Sequence, residues 1–344
     1  MDKKLDLNIN PLVSLLAVFI SCGKNSVYKG LDVAFRLLQS AVHKKSLEAM
    51  FKLTGYLSAD RMFGRLHEIS SESTRKLIRK CNRKLKLPKK VVLAIDFTEK
   101  EYYGSKDHPE VMGSKGGKYV RRYIEVSTVK PALFINALPV DQLTNDKKEL
   151  LTQLLDSFHR QFKKIKIELL LLDRGFFSKK VVRFLTEKNI PFIMPAVKNK
   201  AIKKLVKAHE KKEIQDRIRY EFGETTQNLL FLKIEEDTFV YMTNTRKTII
   251  QTHIAYRKRW QIETNFREQN KFTFKTCTKN FNIRYLAFTI AGLLFNAWQL
   301  TRNKLQYQPE SYLYKQLLIE EILKLWQKTT TRRVIKNINY LLVA

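Results

Sequence analysis

The stretch Val91-Val-Leu-Ala-Ile95-Asp96 decides the fold class of this chain. It is a short, continuous apolar run, which is typical of a strand buried on both faces of a sheet. A second run of the same type, residues 165–172, leads directly into Asp173. In open α/β sheets, ligands bind at the carboxyl ends of the strands. We therefore expect Asp96 and Asp173 to end their strands and to lie in a ligand site.

Other predicted elements complete a sheet around these two strands. Strands are predicted at 119–128, 132–140 and 191–197, and helices at 146–162 and 179–188. Beyond a charged helical connection at 198–212, three short alternating segments predict strands at 217–222, 228–234 and 238–243. The order of elements predicts an α/β fold, a mixed sheet flanked by helices.

The two ends of the chain are predicted to be helical. Residues 1–88 contain short helical segments, in which Gly55 can end one helix and Ser58 can begin the next. This outline fits a DNA-reading helix-turn-helix and an ordinary helical hairpin equally well. Residues 74–90 predict one basic amphipathic helix that contains Arg79 and Arg83 and no acid. A helix face that is merely solvated usually carries charges of both signs, so an all-positive face favours contact with phosphates.

The composition indicates the class of partner. The 344 residues carry a formal net charge of +32, and nucleic acid is the first candidate for a chain this basic. An anionic membrane surface is the alternative. The apolar runs 11–22 and 286–298 are shorter than the roughly 20 residues that a bilayer core requires, so we expect no membrane span. The three scattered cysteines argue against disulfides and structural zinc, and favour the cytoplasm.

Residues 255–271 contain neither Gly nor Pro and predict a single helix. Tyr256, Arg259 and Glu263 fall at i, i+3 and i+7, so they share one face. A phenol, a guanidinium and a carboxylate form a poor core stripe. They would form a suitable wall for a site that holds a metal ion and a phosphate.

Three carboxylates are the candidate metal ligands: Asp96, Asp173 and Glu263. Mg²⁺ prefers oxygen ligands, usually carboxylates with water and substrate phosphate. Two such ions can promote an in-line phosphoryl displacement, with Arg259 neutralising a phosphate oxygen. The chain has no GxSxG, GxxxxGK[ST] or HExxH motif that would indicate another chemistry.

Three segments resemble the catalytic blocks of DDE transposases: Leu-Ala-Ile-Asp96-Phe-Thr, Leu-Leu-Asp173-Arg-Gly-Phe-Phe-Ser, and the stretch that contains Tyr256, Arg259 and Glu263. The chain resembles in particular the DDE transposases of prokaryotic insertion sequences, in the group (insertion sequence family four type) whose third acid lies in Tyr-x2-Arg-x3-Glu-x6-Lys. The resemblance covers residues 90–300, roughly, and its third block is the most specific. It implies an RNase H-like core with a β-rich insertion and a divalent metal, Mg²⁺ or Mn²⁺. It also implies a homodimer acting on double-stranded DNA, both transposon ends and target.

The resemblance and the predicted elements together give a domain assignment. We predict a helical DNA-binding domain at 1–88, a catalytic domain at 89–198 and 250–305, a β-rich insertion at 199–249 and a helical tail at 306–344. The catalytic and metal-binding residues would be Asp96, Asp173 and Glu263. The DNA-binding residues would be Tyr256, Arg259, Arg267, Lys271, Arg79 and Arg83.

The chain departs from the family pattern in two places. Asn270 stands where the motif has Lys, so Lys271 or Arg267 would supply that cation. Some relatives hold a flipped base with an aromatic residue, typically Trp, of the insertion, but the Trp residues here lie outside it. Four aromatic residues of the insertion would either replace that Trp or belong to the core of its strands: Phe222, Phe231, Phe239 and Tyr241. A hairpin intermediate is therefore left open.

The expected activity is metal-dependent cleavage and strand transfer of transposon-end DNA. One rival is an RNase H-like endonuclease that cuts without strand transfer. A second rival, from another class, is a DNA-binding relative that has lost catalysis. Intact Asp96, Asp173 and Glu263 argue against that second rival.

Overall fold

The computed structural model describes residues 10–20, 22, 26–55, 57–104, 106, 108–113, 116–304, 310–324 and 327. They divide into two compact units. The sheet unit is Leu85–Phe266, and the helical unit comprises the described residues of Met1–Lys84 and Arg267–Ala344. The domain boundaries predicted from the sequence, which assign 250–305 to the catalytic domain, stay a prediction.

The described part of the sheet unit contains one nine-stranded mixed sheet. Its strands are β1 (Lys90–Glu101), β2 (Met112–Gly113), β3 (Tyr119–Thr128), β4 (Leu133–Val140), β5 (Lys166–Leu172), β6 (Phe192–Pro195), β7 (Arg217–Phe222), β8 (Thr225–Ile234) and β9 (Asp237–Thr243). The central strands β1, β5 and β6 run parallel, and the remaining pairs are antiparallel. The strands of the predicted insertion extend this same sheet, because β9 pairs with β6.

Helices surround the sheet and form the other unit. They are α1 (Asn10–Phe19), α2 (Gly30–His43), α3 (Leu47–Thr54), α4 (Ala59–Leu66), α5 (Ser71–Asn82), α6 (Lys147–Gln161), α7 (Lys179–Glu187), α8 (Lys200–Glu210), α9 (Ile249–Arg257), α10 (Trp260–Asn270) and α11 (Phe281–Lys304). Residues 311–324 are also helical. The rest of the predicted basic tail, apart from residue 327, lies outside the described residues. None of the described helices combines the length and the apolar character needed to cross a bilayer.

The core of the sheet unit explains which face of the sheet carries the candidate site. Ala94 of β1 is buried in a cluster with apolar residues of β5, β6, β8 and β9 and with Ile262 of α10. Residues of α9, including Tyr256, pack against the same cluster. Because side chains two apart on a strand point to the same face, Asp96 faces the side of the sheet on which α9 and Ile262 lie.

In the helical unit, the turn predicted between two helices is confirmed. Gly55 ends α3 with a left-handed backbone (φ 62°), which glycine adopts at little cost. The Ser58 hydroxyl accepts a hydrogen bond from the Arg61 N–H and so begins α4. Whether this pair of helices reads DNA stays a prediction.

The basic helix predicted at 74–90 is shorter than expected. Helix α5 ends at Asn82, and Arg83 is its C-terminal cap. Pro88 disfavours helical backbone in the residue before it and cannot itself donate to a helix ladder, and β1 begins only two residues later, at Lys90. The prediction of a helix through 90 was therefore wrong, although Arg79 does lie on α5.

Candidate active site

The parallel pairing of β1 and β5 places the two aspartates side by side. The last residues paired in this ladder are Ile95 of β1 and Leu172 of β5. Asp96 follows Ile95 within β1, and Asp173 follows Leu172 directly after β5. The expectation that Asp96 ends its strand was wrong, because β1 continues to Glu101 through antiparallel pairing with β3. The parallel ladder, rather than the strand, ends at the carboxylates.

Local contacts fix the loop that follows Asp173. Its Oδ2 accepts a hydrogen bond from the Gly175 N–H at 3.2 Å and begins a short 3₁₀ turn. Phe176, fully buried in that turn, stacks on Phe97 of β1 with ring centroids 5.0 Å apart. Lys147 of α6 donates to the Gly175 carbonyl at 2.6 Å. The residues next to each aspartate therefore also contact one another.

The segment 255–271 is two helices rather than the single helix predicted. Helix α9 ends at Arg257 and α10 begins at Trp260. Between them, the N–H groups of Lys258 and Arg259 bond to carbonyls three residues earlier, as in a 3₁₀ turn. No Gly or Pro marks this break. The junction leaves Tyr256 at the end of α9, Arg259 in the turn and Glu263 in the first turn of α10.

Arg259 joins two of the three carboxylates. Its Nη1 donates to Asp96 Oδ2 at 2.5 Å and its Nη2 donates to Glu263 Oε1 at 2.6 Å. The Arg259 and Asp96 side chains are only 12% and 14% exposed, whereas that of Glu263 is 35% exposed. The guanidinium also lies 5.6 Å from the centre of the Tyr256 ring. The structure thus brings Tyr256, Arg259, Glu263 and Asp96 together.

The electrostatics of this cluster show that its carboxylates interact. Burial raises the pKa of Asp96 to about 6; Arg259 opposes this shift, and the charges of Asp173 and Glu263 add to it. Burial likewise raises the pKa of the Tyr256 phenol, against the influence of Arg259. Tyr256 is therefore a neutral hydrogen-bonding group at neutral pH, and Asp96 is in the electrostatic field of both other acids.

The donor set fits a hard divalent cation by its chemistry. Three carboxylates, two of them next to each other at the end of the β1–β5 ladder, offer the oxygen ligands that Mg²⁺ and Mn²⁺ prefer. A cation would offset the burial that chiefly raises the pKa of Asp96, and also its repulsion by Asp173 and Glu263. Among the described residues, however, no three acidic, His or Cys side chains lie close enough together to hold a metal ion. Instead, the Arg259 guanidinium contacts both Asp96 and Glu263.

The other predicted DNA-binding residues lie in the helical unit. Arg79 pairs with Glu72 at 3.0 Å, an acid that lies one residue after the start of α5 and just before the segment predicted to lack acids. Arg83 and Arg267 are exposed. Lys271 Nζ contacts Glu268 and Ser311, each at 2.8 Å. Arg79 and Lys271 are thus engaged in local contacts.

The aromatic residues of the predicted insertion belong mostly to the core. Phe222, Phe231 and Tyr241 are buried, whereas Phe239 is 39% exposed and packs edge-on against His253. Tyr241 also shares a hydrogen bond with His253, at 2.8 Å. Phe239 is thus the exposed member of the four that the sequence suggested.

Sequence reasoning missed two groups of contacts in the sheet unit. It assigned Arg259 to a phosphate and gave no sign of its contacts with two carboxylates. It also gave no role to Phe97 and Phe176, whose stacking connects β1 with the turn that follows β5. The spacing of the lysines in α8 indicates a basic helix face, but residues 198–212 were interpreted only as a charged helical connection.

Comparisons with known proteins bear on the fold and the family of the chain. The fold is similar to that of the piggyBac transposase in a cryo-EM structure of its synaptic complex with hairpin DNA: the TM-score is 0.62 at 13% identity, over 92% of this chain and 79% of that one. The predicted fold class, an RNase H-like mixed sheet flanked by helices, is thereby confirmed. No curated protein matches the chain in sequence. The family model described as "Transposase DDE domain" matches residues 87–296, more than half of the chain. The chain therefore belongs to the transposase DDE domain family.

Proposed function

We propose that this transposase cuts transposon-end DNA and joins it to target DNA by metal-dependent phosphoryl transfer, with Asp96, Asp173 and Glu263 as its catalytic carboxylates. One observation carries the proposal. The β1–β5 ladder ends at Asp96 and Asp173 together, and Arg259 joins Asp96 to Glu263. Three acids distant in sequence are therefore connected in one part of the sheet unit.

Asp96, Asp173 and Glu263 would hold Mg²⁺ or Mn²⁺. When bound, the metal would supply activation of the attacking water or 3′-hydroxyl and stabilisation of the leaving oxygen. The chain's own residues orient the substrate. Arg259 has a planar guanidinium suited to a phosphate oxygen, and Tyr256 offers a neutral phenol as a hydrogen-bond donor.

The partners follow from the charge and from the family. We propose that a homodimer binds both transposon ends, with Arg79, Arg83, Arg267 and Lys271 contacting the DNA backbone. The helical pair α3 and α4 would contribute to end binding. The signature residues Tyr256, Arg259 and Glu263 place the chain, in our proposal, with the prokaryotic insertion-sequence group named above.

A cleavage assay with Asp173→Asn tests the proposal. The substrate is duplex DNA carrying the inverted repeats that flank the reading frame, with Mg²⁺. We expect cleavage to be lost and end binding to be kept, because the amide preserves shape but removes the charge that holds a metal. Asp156→Asn, an exposed aspartate on α6, is the matched control and should cleave normally. Cleavage by Asp173→Asn at the wild-type rate would overturn the assignment.

Analysis of the products separates the alternatives. Joined molecules formed from a 3′-hydroxyl donor indicate a transposase, whereas cut ends without joining indicate an endonuclease. Binding without any cleavage indicates a relative that has lost catalysis. A denaturing gel of the same reaction reveals whether cut ends are sealed as hairpins.

A further inference from the structure

Helix α8 begins at the edge of the sheet that carries the aspartates. Strands β1, β5 and β6 are parallel, so their carboxyl ends lie at one edge. Asp96 and Asp173 follow the last paired residues of β1 and β5 at that edge. The chain leaves β6 at Pro195, and Asn199 then caps α8, its side chain accepting a hydrogen bond from the Ile202 N–H. The start of α8 is therefore on the same side of the sheet unit as the carboxylates.

Helix α8 presents one face of exposed lysines. Ile202 and Val206 are the buried residues of this helix. At 100° per residue, the lysines fall on the opposite side of the helix. We call the following set the α8 lysine stripe; its members are Lys200, Lys203, Lys204 and Lys207, all exposed. The stripe extends for about 10 Å at 1.5 Å per residue.

The stripe has no acidic partners in the described part of the chain. None of its lysines lies within ion-pair distance of a described carboxylate. The acids that follow are engaged elsewhere: Glu210 accepts from Thr238, Glu213 pairs with Lys211, and Asp216 pairs with His209. Four neighbouring positive charges therefore repel one another, at a small cost per pair on a solvated helix. An anionic partner would remove that cost.

We propose that the α8 lysine stripe binds the backbone phosphates of duplex DNA next to the phosphate that is cut, which rests on the function proposed above. A duplex carries one charge per about 1.7 Å of axis, so the length of the stripe faces several phosphates. Lysines act as point charges, and contacts to phosphates carry no sequence information, so the proposed contact is independent of sequence. An anionic membrane is the less suitable partner, because a helix that binds a membrane surface needs large apolar side chains beside its basic residues, and the stripe consists of lysines alone.

Salt-dependent DNA binding tests the proposal. The stripe variant changes all four lysines of the stripe to Gln. The matched control changes four exposed lysines at the amino ends of β5 and β6, namely Lys163, Lys164, Lys166 and Lys188. Both variants lose the same charge, and Gln has nearly the helix propensity of Lys. Binding of a fluorescein-labelled duplex several turns long is measured by anisotropy over a range of salt, and folding by circular dichroism.

We expect the stripe variant to bind at least about 10-fold more weakly at low salt. Its log–log salt slope should fall by about 3.6, since each of the four lost phosphate contacts removes about 0.9. The control should change much less. Equal slopes in wild type and stripe variant, or equal losses in both variants, would overturn the proposal. So would loss of binding to phosphatidylserine vesicles with duplex binding kept.

The proposed function and the stripe fail in distinguishable ways. If the wild type binds and cleaves transposon-end DNA while the stripe variant matches it, only the stripe proposal is wrong. If the wild type binds no duplex at all, the stripe proposal falls together with the proposed function.

Discussion

Arg259 donates a hydrogen bond to Asp96 at 2.5 Å, although 163 residues separate them in the sequence. Both side chains are largely buried, and the same guanidinium contacts Glu263. Asp96 therefore carries its charge beside Arg259 when no metal is bound. Arginine and a divalent cation would interact with the same carboxylates, so the residue proposed to bind the substrate phosphate would also affect metal binding.

Arg259→Gln should destabilise the metal-free protein by about 3 kcal/mol, because removing one partner of a buried ion pair leaves the other charge uncompensated. Urea denaturation in the presence of a chelator measures the change. Arg257→Gln, which alters an exposed arginine of α9, is the control and should change little. In a double-mutant cycle with Asp96→Asn, the two substitutions should couple by about 1–3 kcal/mol. Simple additivity would contradict the pairing.

Mn²⁺ should stabilise Arg259→Gln more than it stabilises the wild type. In the variant, the metal replaces the lost positive charge, whereas in the wild type it must compete with Arg259 for Asp96 and Glu263. The shift in Tm on adding Mn²⁺ measures the effect. Adding Asp173→Asn to the variant should reduce that shift, because one proposed ligand is lost. An equal shift in the variant and the wild type would argue against competition.

Phe176→Ala should cost about 3–5 kcal/mol, the usual loss for a buried phenylalanine, and should also reduce DNA cleavage by the folded protein. Phe176 stacks on Phe97, and these rings support the segments that carry Asp173 and Asp96. Phe184→Ala, in the buried face of α7, offers a comparable loss of stability. It should leave the cleavage rate per folded molecule unchanged. A similar loss of cleavage in both variants would indicate a stability effect alone.

The thiol of Cys277 should react with a disulfide reagent far faster than that of Cys81. Cys277 is exposed, whereas burial raises the pKa of the Cys81 thiol to about 12, against the influence of Lys84. A thiol with that pKa is about 10⁻⁴ ionised near pH 8, and the thiolate is the reactive form. Labelling kinetics in a Cys22→Ser background should show a fast and a slow phase. In guanidinium the two phases should merge.

Stability should fall on acidification partly through His253. Burial, with the Arg257 charge, lowers the pKa of His253, whose ring packs against Phe239 and Tyr241. Below about pH 6.5 the unfolded chain therefore takes up a proton that the folded chain resists, and folding becomes less favourable. His253→Asn should show a smaller drop in Tm than the wild type between about pH 7 and about pH 5. Parallel curves would contradict this.

The sheet was predictable from the sequence, because its central strands are buried on both faces and read as apolar runs. The run predicted at 165–172 forms β5 at 166–172, and three strands of the predicted insertion lie within three residues of their predicted limits. Pairing partners were harder to predict, since a run of apolar residues does not specify its neighbours. The extension of β1 to Glu101 depends on β3, and no local pattern indicates it.

The residues of the site were easier to predict than its geometry. The spacing of Tyr256, Arg259 and Glu263 brought them to one side even though the helix breaks between them. At the break, N–H groups bond to carbonyls three residues earlier. The residues there are ordinary helix formers, so the sequence gives no sign of the break. The ion pair of Arg259 with Asp96 is a tertiary contact, so only the folded chain shows it.

The β1–β5 ladder has a consequence for the newly made protein. Strands β2, β3 and β4 and helix α6 separate its two strands in the sequence, so closing the ladder costs the entropy of a long loop. Glu263 follows after β9, later still in synthesis. A ribosome-bound chain thus carries Asp96 long before Glu263 exists. If Asp96, Asp173 and Glu263 act together as proposed, a nascent chain that ends before Glu263 lacks one of the three carboxylates and would be unable to cut DNA, even with most of the sheet unit already translated.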